Sequence, residues 1–146
     1  GYSVPAGIGA SFASDGPIIS FTGDGSFGFV IGDMETIKRS GKNVTIILCR
    51  NDTFGWIRGE AILLDEVDEP WSTDFGAVDY IKVAEGFGFK TARITSESGI
   101  ETILGEAINN PGANFIEVVV PSQDQIVPFV PNWVRAAKEK NIPFFE

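Results

Sequence analysis

Three short apolar runs limit what this chain can fold into. Pro17–Thr22 (PIISFT), Asn43–Arg50 (NVTIILCR) and Asn114–Val120 (NFIEVVV) are six to eight residues long and bounded by turn-forming residues. A continuous apolar run that short suits a strand buried on both faces. Phe89–Ile94 reads as a fourth strand. Helical patterns lie between them. Ala6–Ala13 is rich in small residues and suited to close packing. Phe29–Ser40 puts Val30, Met34 and Ile37 on one side, Lys38 and Arg39 in its last turn, and Gly41 after it as a left-handed cap. Asp79–Phe87 reads as a helix ending at Gly88. Ser98-Gly99-Ile100-Glu101 has the pattern of a capping box and opens a helix to about Asn109, which Pro111-Gly112 ends. Strands alternating with helices predict an α/β fold: three layers, with a mostly parallel sheet and helices on both faces.

Two stretches carry no clear period. Residues 51–73 include LLDEVDEP and read as a long loop with one helical turn; its acidic part is expected at the surface, ordering when a substrate site closes. The tail QIVPFVPNWVRAAKEKN reads as extended, then as a short helix from about Asn132, packed by Trp133.

Composition narrows the function. The 146 residues suit one domain, 1–146, and 43% hydrophobic content is enough for a core. The opening GYSVPAGIGAS, without an initiator Met, reads as part of something longer. A net charge of −9 argues against a nucleic-acid groove, which would be basic. Histidine is absent, which removes the commonest general base and transition-metal ligand. A single cysteine, Cys49, excludes an internal disulfide, and its place in a buried strand makes it a core residue. No apolar run approaches the roughly 20 residues of a membrane span, and no signal peptide is visible, so the cytoplasm is the expected compartment.

Chemistry is expected past the carboxyl ends of the strands, where open α/β sheets bind their ligands. Asp24 follows PIISFT-Gly23, and Asn51-Asp52 follows NVTIILCR. One right-handed crossover joins these strands, so Asp24 and Asn51 are expected to meet although 27 positions apart. Gly23, Gly25 and Gly28 fit G-x-G-x-x-G, which alone also fits a Rossmann-like nucleotide module without catalysis of its own. The carboxylate of Asp24 argues otherwise. Beside a pyrophosphate it is repelled unless a cation stands between them. Mg²⁺ fits, taking Asp24, the Asn51 side-chain carbonyl, a backbone carbonyl just after Asn51, phosphate oxygens and water. The amides of Gly25 and Ser26 would then reach the phosphates. The plain structural alternative is a turn capped by Asp24.

These residues resemble the diphosphate-binding motif of thiamine-diphosphate-dependent enzymes: GDGSF followed, after matching spacing, by Asn51-Asp52. GYSVPAGIGAS looks like the family's Gly-aromatic-Gly-Leu-Pro-Ala-Ala-Ile-Gly-Ala segment, with Ser3 in place of a Gly. DYIKVAEGFGFK looks like its helix before the later strand, and NFIEVVVPSQDQIVPFVP is similar to the tail of acetolactate synthases. The resemblance implies thiamine diphosphate and Mg²⁺ as cofactors. Its metal ligands would be Asp24, Asn51 and Thr53, and its cofactor contacts would also include Gly23, Gly25, Ser26, Phe54 and Gly55. The chemistry it implies is decarboxylation of a 2-oxoacid and transfer of the acyl unit, as in an acetolactate synthase-like carboligase.

Gly55-Trp56-Ile57-Arg58-Gly59-Glu60 stands where acetolactate synthases have Gly-Met-Val-x-Gln-Trp-Gln, so the Trp that sets their specificity is not in its place. Trp56 and Arg58 are the candidate substrate residues. The resemblance places the activating Glu on another domain or a partner subunit, and implies a homo-oligomer, a dimer or larger. VPAGIGASFA and IPFFE are the stretches expected to carry partner-facing apolar surface. Glu85 reads as structural.

Overall fold

The computed structural model describes residues 1–63, 69 and 71–121. Its elements run α1 (Ser3–Ala13), β1 (Ile18–Gly23), α2 (Asp24–Gly28), α3 (Asp33–Ser40), β2 (Val44–Arg50), α4 (Gly55–Leu63), α5 (Tyr80–Gly86), β3 (Lys90–Ile94), α6 (Ile100–Asn109) and β4 (Ala113–Val119). The chain divides into two compact units. One comprises Gly1–Asn51 with Ala77–Val120; the other comprises, among the described residues, those between 52 and 76 together with Pro121.

The first unit is an α/β sandwich. Its four strands are all parallel, in the order β1-β2-β4-β3. Helices cover both faces, as expected. On one face Val4, Phe27, Met34 and Ile37 pack against Val44, Ile46, Leu48 and Phe115. On the other, Ile100, Ile103 and Leu104 of α6 cover Ile47, Ile94 and Ile116. The two central strands, β2 and β4, carry the longest buried runs, which is why their sequences lack a wet face. The expectation that β1 is buried on both faces is corrected: it lies at the sheet edge, buries Ser20 and Thr22 on one face and leaves Ile19 and Phe21 exposed on the other.

The small residues of α1 are used internally. A side-chain carbon at Gly7 would stand 3.1 Å from Cβ of Ser20, so this helix rides directly on β1. Ser3 and Ser20 hydroxyls hydrogen-bond at 2.9 Å beside it. VPAGIGASFA therefore turns Val4, Gly7 and Ser11 inward, and its outer side, with Phe12, is exposed. IPFFE, Trp133 and the rest of the tail from residue 122 lie outside the described residues, as does the acidic run apart from Glu69.

Other expectations are corrected. Phe29–Ser40 is not one helix. Only Asp33–Ser40 of it is helical, as α3; residues 29–32 form a turn that separates α3 from the preceding short helix α2, and Gly28 and Gly32 weaken a continuous helix there. Residues 51–73 contain a nine-residue helix, α4, rather than one turn. The capping box at Ser98 does not form: Gly99 caps α6 in the left-handed region (φ 91°), and the Ser98 hydroxyl pairs with that of Ser96. Gly41 is the left-handed cap of α3 as expected, at φ 65°. Glu85 is exposed and accepts a hydrogen bond from Thr91 at 3.1 Å, in keeping with a structural role.

Candidate functional site

Asp24 is the first residue after β1, and it opens α2. Its side chain is only 3% exposed. One carboxylate oxygen, Oδ1, accepts from the Gly25 amide at 2.8 Å, and Oδ2 accepts from the Asn51 amide at 2.9 Å. β1 and β2 are neighbours, with Gly23 opposite Cys49, so Asp24 and Asn51 project past the same sheet edge. The expected meeting is therefore made, and the hydrogen bond from the Asn51 amide to the Asp24 carboxylate fixes it. Gly25 and Ser26 follow in α2, both half-buried.

Two of the motif's glycines, Gly23 and Gly28, are not required by the packing of the chain itself. Gly23 has an ordinary extended backbone, and a side-chain carbon there would approach only the Cys49 carbonyl, at 3.9 Å. At Gly28 it would meet nothing within 4 Å. The backbone thus leaves room at the carboxyl edge.

Cys49, half-buried beside this edge, has its thiol pKa raised, first by burial and then by the Asp24 charge. The thiol stays protonated at neutral pH and is no nucleophile there.

One strand further along the edge lies a second charged group. Glu117 of β4 is fully buried. Its Oε1 accepts from Arg50 Nη1 at 3.2 Å and its Oε2 accepts from Arg93 Nε. Arg93 also donates to Asp79, the cap of α5, at 3.2 Å. Glu117 holds the Arg93 guanidinium above its usual pKa. By its sequence alone NFIEVVV reads only as an apolar strand. The signal was present all the same: a carboxylate inside a buried run must find cationic partners.

The remaining candidates belong to the second unit. Asp52 sits in the left-handed region (φ 56°), which Asp tolerates better than most residues. The next residues are pinned to 73–75. Thr53 is buried, and its hydroxyl donates to the Thr73 carbonyl at 2.9 Å. The Phe54 amide donates to the same carbonyl at 2.8 Å, and the Phe75 amide to that of Asp52 at 2.8 Å. The Phe54 and Phe75 rings meet edge to face, 4.5 Å between centroids. Gly55 opens α4 and is buried, while Trp56 is exposed. Arg58 donates to Asp74 at 3.1 Å and to the Thr73 hydroxyl at 3.4 Å.

A metal can be tested against these donors. Among the described residues no group of three or more His, Cys, Asp or Glu could hold one. Asp24 and Asn51 offer one carboxylate and one amide carbonyl, all oxygen. That set suits a hard cation that keeps water and phosphate oxygens, as Mg²⁺ does, and does not suit a transition metal. A cleft of about 280 Å³, lined by Asp15, Asn43, Thr45 and Asn114 among others, lies at the opposite, amino-terminal edge, away from these groups.

An all-parallel sheet with a buried carboxylate tied to the next strand end is the frame of an α/β domain that binds its ligand at the carboxyl edge. The chain belongs to the family described as "Thiamine pyrophosphate enzyme, C-terminal TPP binding domain", which matches residues 1–118. It is 33% identical over 132 residues to the acetolactate synthase isozyme 1 large subunit of Escherichia coli, covering 90% of this chain and 24% of that protein. It is 30% identical over 127 residues to an acetolactate synthase of Bacillus subtilis, covering 86% and 22%. Among solved structures it resembles a thiamine diphosphate-dependent 4-hydroxybenzoylformate decarboxylase of Rhodococcus jostii, with TM-score 0.76 and 28% identity, over 82% of this chain and 23% of that one. The chain thus spans about a quarter of the length of the proteins it matches. No helix among the described residues is long and apolar enough to cross a membrane.

Proposed function

We propose that this chain is the Mg²⁺-dependent, thiamine-diphosphate-binding part of a 2-oxoacid decarboxylase or carboligase of the acetolactate synthase-like group. One observation carries the reading: the buried Asp24 carboxylate, past the end of β1, accepts the amide of Asn51, past the end of β2. A carboxylate fixed where a diphosphate is to lie needs a cation between the two. The proposed ligands are the Asp24 carboxylate, the Asn51 side-chain carbonyl and the Thr53 backbone carbonyl. Gly23, Gly25 and Ser26 keep the backbone open to the phosphates, which accounts for glycine at a position whose own geometry does not require it. Phe54 and Gly55 are the proposed contacts to the rest of the cofactor.

When bound, the cofactor supplies the electron sink for a 2-oxoacid losing carbon dioxide. This chain's part is to bind and orient it. Trp56 and Arg58 are the proposed substrate contacts, with Arg58 exchanging Asp74 for the substrate carboxylate. The activating glutamate is proposed to come from another domain or subunit, within a homo-oligomer of two or more copies.

Calorimetry tests the cofactor reading. Thiamine diphosphate should bind in the presence of Mg²⁺ and fail to bind with a chelator. Equal binding in both conditions, or preferential binding of a nicotinamide dinucleotide, would overturn it.

A further inference from the structure

Arg50 is the last residue of β2, and Asn51 follows it directly. Three bonds fix this strand end within the first unit. The Arg50 side chain is held by Glu117 at 3.2 Å, the Arg50 carbonyl accepts from the Val120 amide at 2.9 Å, and the Asn51 amide donates to Asp24. Glu117 sits on the strand between β2 and β3 and grips both neighbours, through Arg50 and Arg93. It lies on the sheet face of Leu48 and Phe115, both fully buried and apolar. An apolar side chain would fill that place at less desolvation cost, and it would leave the Arg50 side chain without this anchor.

We infer that Glu117 is a positioning residue for the metal end of the site: acting through Arg50, it fixes the end of β2 and thereby the place of Asn51. The inference rests on the proposed function, since Asn51 needs placing only if it is a ligand. Partners that orient metal ligands in this indirect way typically change metal affinity by about 10–100-fold when lost.

The test is made in the complete enzyme with Mg²⁺ as the probe, titrated at saturating thiamine diphosphate, alongside melting of the metal-free protein. Glu117→Gln should raise the half-saturating Mg²⁺ concentration about tenfold or more. Arg50→Met should shift it in the same direction, and it leaves Glu117 its bond to Arg93, so it decides the matter if Glu117→Gln does not fold. Arg50→Lys, which keeps a cation beside Glu117, should recover part of the loss. Leu48→Ala, a core substitution on the same strand face, should lower the melting temperature without moving the Mg²⁺ response. Unmoved Mg²⁺ affinity in Arg50→Met, or a Leu48→Ala shift as large as that of Glu117→Gln, overturns the positioning role. Wild-type enzyme that binds thiamine diphosphate without Mg²⁺ overturns the functional reading, and the positioning role falls with it.

Discussion

The Asp24 carboxylate accepts the Asn51 amide at 2.9 Å, joining two strand ends 27 positions apart in sequence. The bond gives Asp24 two duties, one in the fold and one proposed in the metal site, and two substitutions separate them. Asp24→Ala leaves the Gly25 and Asn51 amides without this acceptor and should cost about 1–3 kcal/mol of stability, as well as the Mg²⁺-dependent binding. Asp24→Asn keeps an oxygen for one amide and loses the charge. It should stay closer to wild type in a denaturant titration yet lose the Mg²⁺ response in calorimetry. Retained Mg²⁺-dependent binding in Asp24→Asn would count against the ligand assignment.

The seat of α1 on β1 leaves little room at Gly7, where a side-chain carbon already comes within 3.1 Å of Ser20 Cβ. Gly7→Leu should therefore overpack this contact and cost about 1–3 kcal/mol. A urea midpoint equal to that of wild type would show that the helix can stand off from the strand.

Asp79 has its pKa lowered, chiefly by the Lys82 amide it caps and further by the Lys82 and Arg93 charges. A lowered folded pKa means stability that is complete above the ordinary Asp value of about 3.9 and is lost as pH falls through the lower, folded value. Asp79→Asn keeps a capping side chain and removes the titration. The variant should lose less stability than wild type between neutral and strongly acidic pH, as measured by melting temperature. Parallel curves for the two proteins would mean that the cap carries no pH dependence.

The chain tested alone should release no carbon dioxide from pyruvate with thiamine diphosphate and Mg²⁺. The proposed activating carboxylate is on another domain, and its general acid–base share is roughly 10²–10⁴-fold. Adding or fusing a domain that carries that glutamate should restore turnover. Robust turnover by the homogeneous 146-residue chain would place the catalytic machinery elsewhere.

In the complete enzyme, Arg58→Ala should raise the Michaelis constant for the 2-oxoacid and leave cofactor affinity unchanged. Unaltered kinetics would reduce Arg58 to its bond with Asp74.

β2 and β4 were legible because burial on both faces writes itself as an unbroken apolar run, whereas β1 was legible from its apolar run and flanking turn residues alone, since its outer face is exposed; the strand ends, and with them the meeting of Asp24 with Asn51, then follow from the turn residues. α4 was not legible. It buries Gly55 and Gly59 and leaves Trp56 and Ile57 exposed, the reverse of the pattern that marks a helix by its apolar stripe. Gly99 at φ 91° likewise overrode the Ser98 capping pattern, a choice made by backbone geometry rather than by side-chain type. Glu117 was hidden by its company: one acid among Val and Ile reads as noise until its two arginines, 67 and 24 positions away, are seen beside it.

The all-parallel order of the sheet bears on how the chain reaches its native state. No two of its described strands are joined as a hairpin, and the central ladder pairs residues 69 positions apart, as Thr45 with Asn114. Each pairing must wait for a long crossover to close before any contact rewards it. The bond from Asn51 to Asp24 cannot form until the first of those crossovers has closed. Its amide should thus gain protection from hydrogen exchange later than the amides inside α3, and under the proposed function cofactor capture would be confined to chains that have already zipped β1 to β2.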